Sequence, residues 1–152
     1  KDPVVVSPDV GGAKRAKKFA DILGANLAIM HKSRPEHQAA EIVEVVGDIE
    51  GRTCILFDDM IDTAGSLVSA KEALLERGAD KEVYAAATHG IFSGEALDRL
   101  KQATFKEVVV TDSLPNDPKA FAGLHILPTA PLLTAVVQHI TKGRSVTQIY
   151  DK

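Results

Sequence analysis

The chain has 152 residues and a net charge of −3, with 45% hydrophobic and 26% charged residues. That is the profile of one soluble globular domain with its own core, and it excludes a global basic field that would gather nucleic acid. No apolar run approaches the ~20 residues of a membrane span, the opening KDPVVVSPDV has no signal-peptide pattern, and the lone Cys54 cannot form an internal disulfide, so a cytoplasmic protein is expected.

Apolar runs and helical patterns alternate along the chain. Residues 4–6 read as a short buried strand, and residues 13–23 as a helix with Ala16, Phe19, Ala20 and Leu23 on one face, stopped by Gly24. Residues 27–30 form a second strand. The segment HKSRPEHQAA is too polar, and too broken by Pro35, for a regular element. A strand at 42–46 and a turn at 47–51 precede the clearest strand, 53–57, where Cys54 reads as a small core residue. A helix over 64–77 ends at Gly78. Strand 83–88, helix 95–102 and strand 108–111 follow, then a loop over 113–123 with Pro115 and Pro118, a strand at 124–127 and a helix over 130–142.

This alternation predicts an α/β fold: a mostly parallel sheet, right-handed crossovers and helices on both faces. In such sheets ligands bind beyond the carboxyl ends of the strands. The informative segment there is CILFDDMIDTAGS, residues 54–66. Its strand delivers two adjacent carboxylates, Asp58 and Asp59, and a helix opens near Ala64. Thr63, Gly65 and Ser66 then sit among unpaired amides at the positive end of a helix dipole, which favours a bound anion. Gly65 allows close backbone approach. A phosphate at the amides and hydroxyls at the carboxylates describe a phosphorylated sugar. A plain helix cap by Asp62 or Thr63 would explain one polar residue but not the two further carboxylates. Neither G-x-x-x-x-G-K-[ST] nor G-x-G-x-x-G occurs at this site.

The same segment closely resembles the phosphoribosyl pyrophosphate motif of the type I phosphoribosyltransferase fold. VVVSPDVGGAKRAKKFA, HKSRP and THGIFSGEALDRL resemble, in turn, the opening of the second half of ribose-phosphate pyrophosphokinases, their flexible catalytic loop, and their next strand and helix. The resemblance spans nearly the whole chain. It implies the carboxy-terminal half of an enzyme that transfers diphosphate from ATP to the anomeric hydroxyl of ribose 5-phosphate with Mg2+.

Residue by residue, the resemblance implies that Asp58 and Asp59 bind the ribose hydroxyls. It implies that Asp62, Thr63, Ala64, Gly65 and Ser66 wrap the 5-phosphate; the family commonly has Thr where Ser66 stands, so the hydroxyl is kept. Asp9 matches the aspartate that helps hold magnesium near the ATP phosphates, and it could equally cap the 13–23 helix. Lys32 and Arg34 match the basic residues of the catalytic loop, where phosphoryl transfer requires positive charge. The basic group Lys14, Arg15, Lys17 and Lys18 reads rather as a solvated helix face. Ser145 and Thr147 match a regulatory region, although the ending QIYDK departs from the usual aromatic one. The resemblance also implies partners: an amino-terminal half supplying most of the ATP site, and a homo-oligomer, a hexamer for the intact enzyme. Alone, the chain is expected to bind sugar phosphate weakly and not to turn over. The competing readings are an ordinary phosphoribosyltransferase and a non-catalytic regulatory homologue.

Overall fold

The computed structural model describes residues 2–33 and 42–150. Seven strands, β1 (Val4–Ser7), β2 (Asn26–Ser33), β3 (Ile42–Val46), β4 (Cys54–Ile61), β5 (Tyr84–Gly90), β6 (Val108–Thr111) and β7 (Leu124–Leu127), form one sheet. Its order is β3-β2-β1-β4-β5-β6-β7. All neighbours run parallel except β3, which pairs antiparallel with β2 at the edge.

Strand alternation divides the core. Val4 and Val6 of β1 face one side and join Cys54 and Leu56; Val5 faces the other and joins Ala16 and Ala20. Helix α1 (Ala13–Leu23) covers that second side. Two alanines let it approach closely, and Phe19 stacks on Phe57 with ring centroids 4.3 Å apart. Gly24 ends it in the left-handed conformation, φ 63°, as its sequence position predicts. Helices α2 (Gly65–Glu76) and α3 (Ala96–Ala103) cover the first side through Leu67, Ala70, Leu74, Ala96 and Leu100. Helix α4 (Ala130–Thr141) buries no residue completely.

β2, β4 and, by two residues, β5 run further than the sequence indicates. β4 continues through Asp58 and Asp59 to Ile61 because its ladder with β5 persists, with Asp58 opposite Ala87 and Ile61 opposite Gly90. β2 takes in His31, Lys32 and Ser33 because β3 pairs with them. In both places a partner strand overrides polar composition. From β1 the chain turns outward to β2 and β3, then returns to β4 on β1's other side. The carboxyl ends of β1 and β4 therefore flank a topological switch point, where α/β sheets open a crevice.

Candidate active site

At that crevice the two acids leave opposite faces of β4, yet their carboxylates stay close enough for Arg15 to reach both. Successive strand side chains leave opposite faces, so Asp58 turns toward the start of α2 and Asp59 toward α1. Asp58 lines a cavity of about 150 Å³ with Pro8, Met60, Asp62, Thr63 and Ser66. This is smaller than the roughly 300–1,000 Å³ of drug-sized pockets and suits a small polar ligand. The Asp59 carboxylate meets Arg15, whose Nη2 lies 3.0 Å from Asp59 Oδ2 and 3.7 Å from Asp58 Oδ1. The Asp58 carboxyl is pushed above its ordinary range, first by burial and then by a hydrogen bond with the Asp59 side chain and by the Asp59 and Asp9 charges, against the pull of the Asp59 amide donating to its Oδ1 at 2.8 Å. A group in that position favours a cation or hydroxyl donors beside it.

Asp9 lies on the turn between β1 and α1. Its Oδ1 accepts the Gly12 amide at 2.7 Å, while the Ser7 hydroxyl donates to its carbonyl at 2.7 Å. A Cβ on Gly12 would stand 2.8 Å from Ser7 Oγ, so a larger residue there would displace that hydroxyl. Asp9 thus organises the entry to α1 with one carboxylate oxygen and keeps the other. The expected helix cap is not made by Asp9: Gly12 holds the N-cap position of α1 without a side-chain cap bond, and Asp9 braces the turn before it. Among the described residues no three His, Cys, Asp or Glu side chains form a ready metal cage. Magnesium is commonly held by only one or two carboxylates together with substrate phosphates, and Asp9 with Asp58 fits that pattern.

The start of α2 is open. Ala64 is its N-cap and no side chain caps it, so neither Asp62 nor Thr63 uses up the amides. Asp62 instead accepts the Ser93 hydroxyl, and the Thr63 carbonyl accepts Arg99 Nη1 at 3.1 Å. Ala64 itself is left-handed, φ 61°, a conformation that costs a non-glycine residue roughly 1–2 kcal/mol. Gly65 is not left-handed, and an added Cβ there would make only ordinary contacts, at 3.6 Å to Arg99 and 3.9 Å to Thr63. No described residue requires glycine at 65; a ligand resting on the backbone would.

The fold therefore brings Asp9, Asp58, Asp59, Asp62, Thr63, Ala64, Gly65 and Ser66 to one crevice. Lys32 is placed by its backbone alone, in β2 opposite Val43, and Arg34 lies outside the described residues. Lys14 and Lys18 are exposed. The sequence reading missed Arg15, Ser93 and Arg99. Arg15 was visible only as part of a basic run, and Ser93 and Arg99 only as unsingled members of the family-like segment THGIFSGEALDRL. Cys54 is buried and its thiol is pushed up to about 11 by burial and the Asp80 charge, as befits an inert core group.

Comparison with known proteins agrees with this geometry. The family model described as the phosphoribosyl synthetase-associated domain matches residues 35–151. Ribose-phosphate pyrophosphokinase of Aquifex aeolicus is 46% identical over 149 residues, covering 98% of this chain and 48% of that protein. The enzyme of Caldanaerobacter subterraneus is 47% identical over 150 residues, covering 98% and 47%. The crystal structure of phosphoribosylpyrophosphate synthetase from Mycobacterium smegmatis superposes with a TM-score of 0.83 at 45% identity, over 94% of this chain and 46% of that one. An APRTase from Giardia lamblia, 16% identical with a TM-score of 0.52, shares the fold alone. The fold is thus that of the type I phosphoribosyltransferases, and the chain spans about half the length of the curated relatives it matches. A crevice of acids beside an uncapped helix, and matches of this extent, lead to one assignment: the chain belongs to the phosphoribosyl synthetase-associated domain family found in ribose-phosphate pyrophosphokinases.

Proposed function

We propose that this chain is the ribose 5-phosphate-binding, carboxy-terminal half of a cytoplasmic ribose-phosphate diphosphokinase. The observation that carries the reading is the uncapped, left-handed entry to α2 set beside the Asp58 carboxylate. The amides of Gly65 and Ser66, with the hydroxyls of Thr63 and Ser66, receive the 5-phosphate. Asp58 accepts hydrogen bonds from the ribose hydroxyls inside the cavity, and Asp59 does so once Arg15 yields. In the reaction the anomeric oxygen bonds to the β-phosphorus of ATP, the bond from that phosphorus to the α–β bridging oxygen breaks, AMP leaves, and the hydroxyl proton is released. This chain's share is to fix the sugar so that its anomeric hydroxyl faces the incoming diphosphate.

Asp9, assisted by Asp58, would hold magnesium, which when bound supplies charge neutralisation at the ATP phosphates. Lys32 and Arg34 would bring positive charge to the transferring group. The rest of the ATP site belongs to an amino-terminal half, and the assembled enzyme is a homo-oligomer. The isolated chain binds sugar phosphate and does not turn over.

A titration of the isotopically labelled chain tests this. Ribose 5-phosphate should shift the amide resonances of Thr63 to Ser66 strongly, whereas ATP alone should leave them nearly unmoved. Equal response to both ligands, or none to the sugar phosphate, refutes the reading.

A further inference from the structure

The turn that opens α2 has to present amides to an anion, which requires its carbonyls to be occupied elsewhere. Every carbonyl from residue 61 to 64 is engaged. Ile61 O accepts the amides of Ile91 at 2.9 Å and Phe92 at 3.1 Å, and Asp62 O accepts the amide of Ser93 at 3.1 Å. Thr63 O accepts Arg99 Nη1 at 3.1 Å, and Ala64 O accepts the Val68 amide of α2 at 3.0 Å. Three of these four acceptors are served by residues 91–99, the link from β5 to α3 together with the first turn of α3.

That segment is itself held in an unusual shape. Phe92 is left-handed, φ 52°. A Cβ on Gly90 would fall 2.7 Å from the Phe92 ring, and Asn116 Nδ2 donates to the Gly90 carbonyl at 2.9 Å. Two of its side chains reach the turn. Ser93 Oγ donates to the Asp62 carboxylate. A free Asp62 carboxylate beside the positive end of α2 would compete with an incoming anion for its amides, so Ser93 keeps the anion's place open. Arg99, exposed and paired with Glu95 at 3.3 Å, directs Nη1 at a main-chain carbonyl instead of at solvent.

We propose that Ser93 and Arg99 are positioning residues of the phosphate turn: from behind, they fix its carbonyls and its one carboxylate so that the amides of α2 face a sugar phosphate. This rests on the proposed ribose 5-phosphate reading. Neither residue lines the cavity, so their effect passes through the turn.

The test compares the labelled 152-residue chain with Arg99→Met, Arg99→Lys and Ser93→Ala. It reads ribose 5-phosphate affinity and, without ligand, amide hydrogen exchange at Gly65 and Ser66. Arg99→Met should weaken binding about tenfold, the size of one hydrogen bond from a charged donor, and speed exchange at those amides while α1 and the sheet keep wild-type exchange. Arg99→Lys, still able to reach the Thr63 carbonyl, should recover most of the loss. Ser93→Ala should weaken binding and slow exchange at Gly65 or Ser66 as Asp62 competes for those amides. Unchanged affinity in Arg99→Met and Ser93→Ala overturns the inference, whatever the exchange shows. Should Arg99→Met not fold, Ser93→Ala decides the same question. If the wild-type chain does not bind ribose 5-phosphate, the proposed function falls, and the exchange comparison alone then decides whether the clamp exists.

Discussion

Asp58 and Asp59 leave β4 on opposite faces, and the difference sets what each can do. Arg15 pairs most closely with the half-exposed Asp59 and more distantly with Asp58, which sits deeper, beside the cavity. Asp58→Asn should lower ribose 5-phosphate affinity by roughly 10- to 100-fold, the worth of hydrogen bonds to a charged acceptor, measured by calorimetric titration. The same substitution should stabilise the ligand-free chain at neutral pH. An acid whose folded pKa lies above its unfolded value penalises the folded state once ionised. That penalty is fully present above the folded pKa and fades as pH falls toward the ordinary 3.8. The stability difference between the Asp58→Asn variant and wild type, followed by urea unfolding, should therefore shrink on acidification; a constant difference would mean Asp58 is not held off its ordinary titration. The sequence made the DDMIDTAGS residues legible because they are contiguous and their geometry is local. Arg15 was not legible, because its reach to Asp59 depends on how closely Ala16 and Ala20 let α1 lie on the sheet.

Helices α2 and α3 are joined by a charge. Lys71 is buried on α2, and its Nζ donates to the Ala103 carbonyl and, at 2.7 Å, to the Thr104 carbonyl at the end of α3, 4.9 Å from the Phe105 ring centroid. Burial lowers its pKa. The contact satisfies helix-end carbonyls that no further turn can reach, at a place where Thr104 takes a left-handed φ of 51°. Lys71→Ala strands both carbonyls and should cost about 2–4 kcal/mol in chemical denaturation. Lys71→Met keeps the stem but not the donor, and should cost nearly as much; a loss under about 0.5 kcal/mol, the range of ordinary surface changes, would show that water replaces the ammonium freely. Periodicity found every described α-helix and strand, because core faces impose it. It could not find Lys71, since a buried lysine breaks the pattern that periodicity detects. Nor could it end β2 and β4, since their last residues are strand only because β3 and β5 pair with them.

Across the whole molecule the apolar surface is unevenly distributed. α1 covers the sheet over β1, β2 and β4, but toward β6 and β7 that side stays open around Phe57, Ala86, Val109 and Leu127. α4 contributes to neither core cluster among the described residues. Leu133, Val137 and Ile140 nevertheless recur at helical spacing along it and are 58%, 58% and 62% exposed. An apolar helical stripe of this kind is ordinarily covered, and relatives about twice as long have the additional protein with which to cover it. If the stripe serves assembly rather than the fold of this chain, polar substitution should separate the two properties. Leu133→Gln with Val137→Gln should leave the unfolding midpoint of the isolated chain nearly unchanged, within about 0.5 kcal/mol as for surface positions. The same pair placed in the two-half enzyme should shift its sedimentation toward smaller species. A loss of several kcal/mol in the isolated chain would show instead that α4 packs on its own sheet in solution, and the open side would then be closed from within.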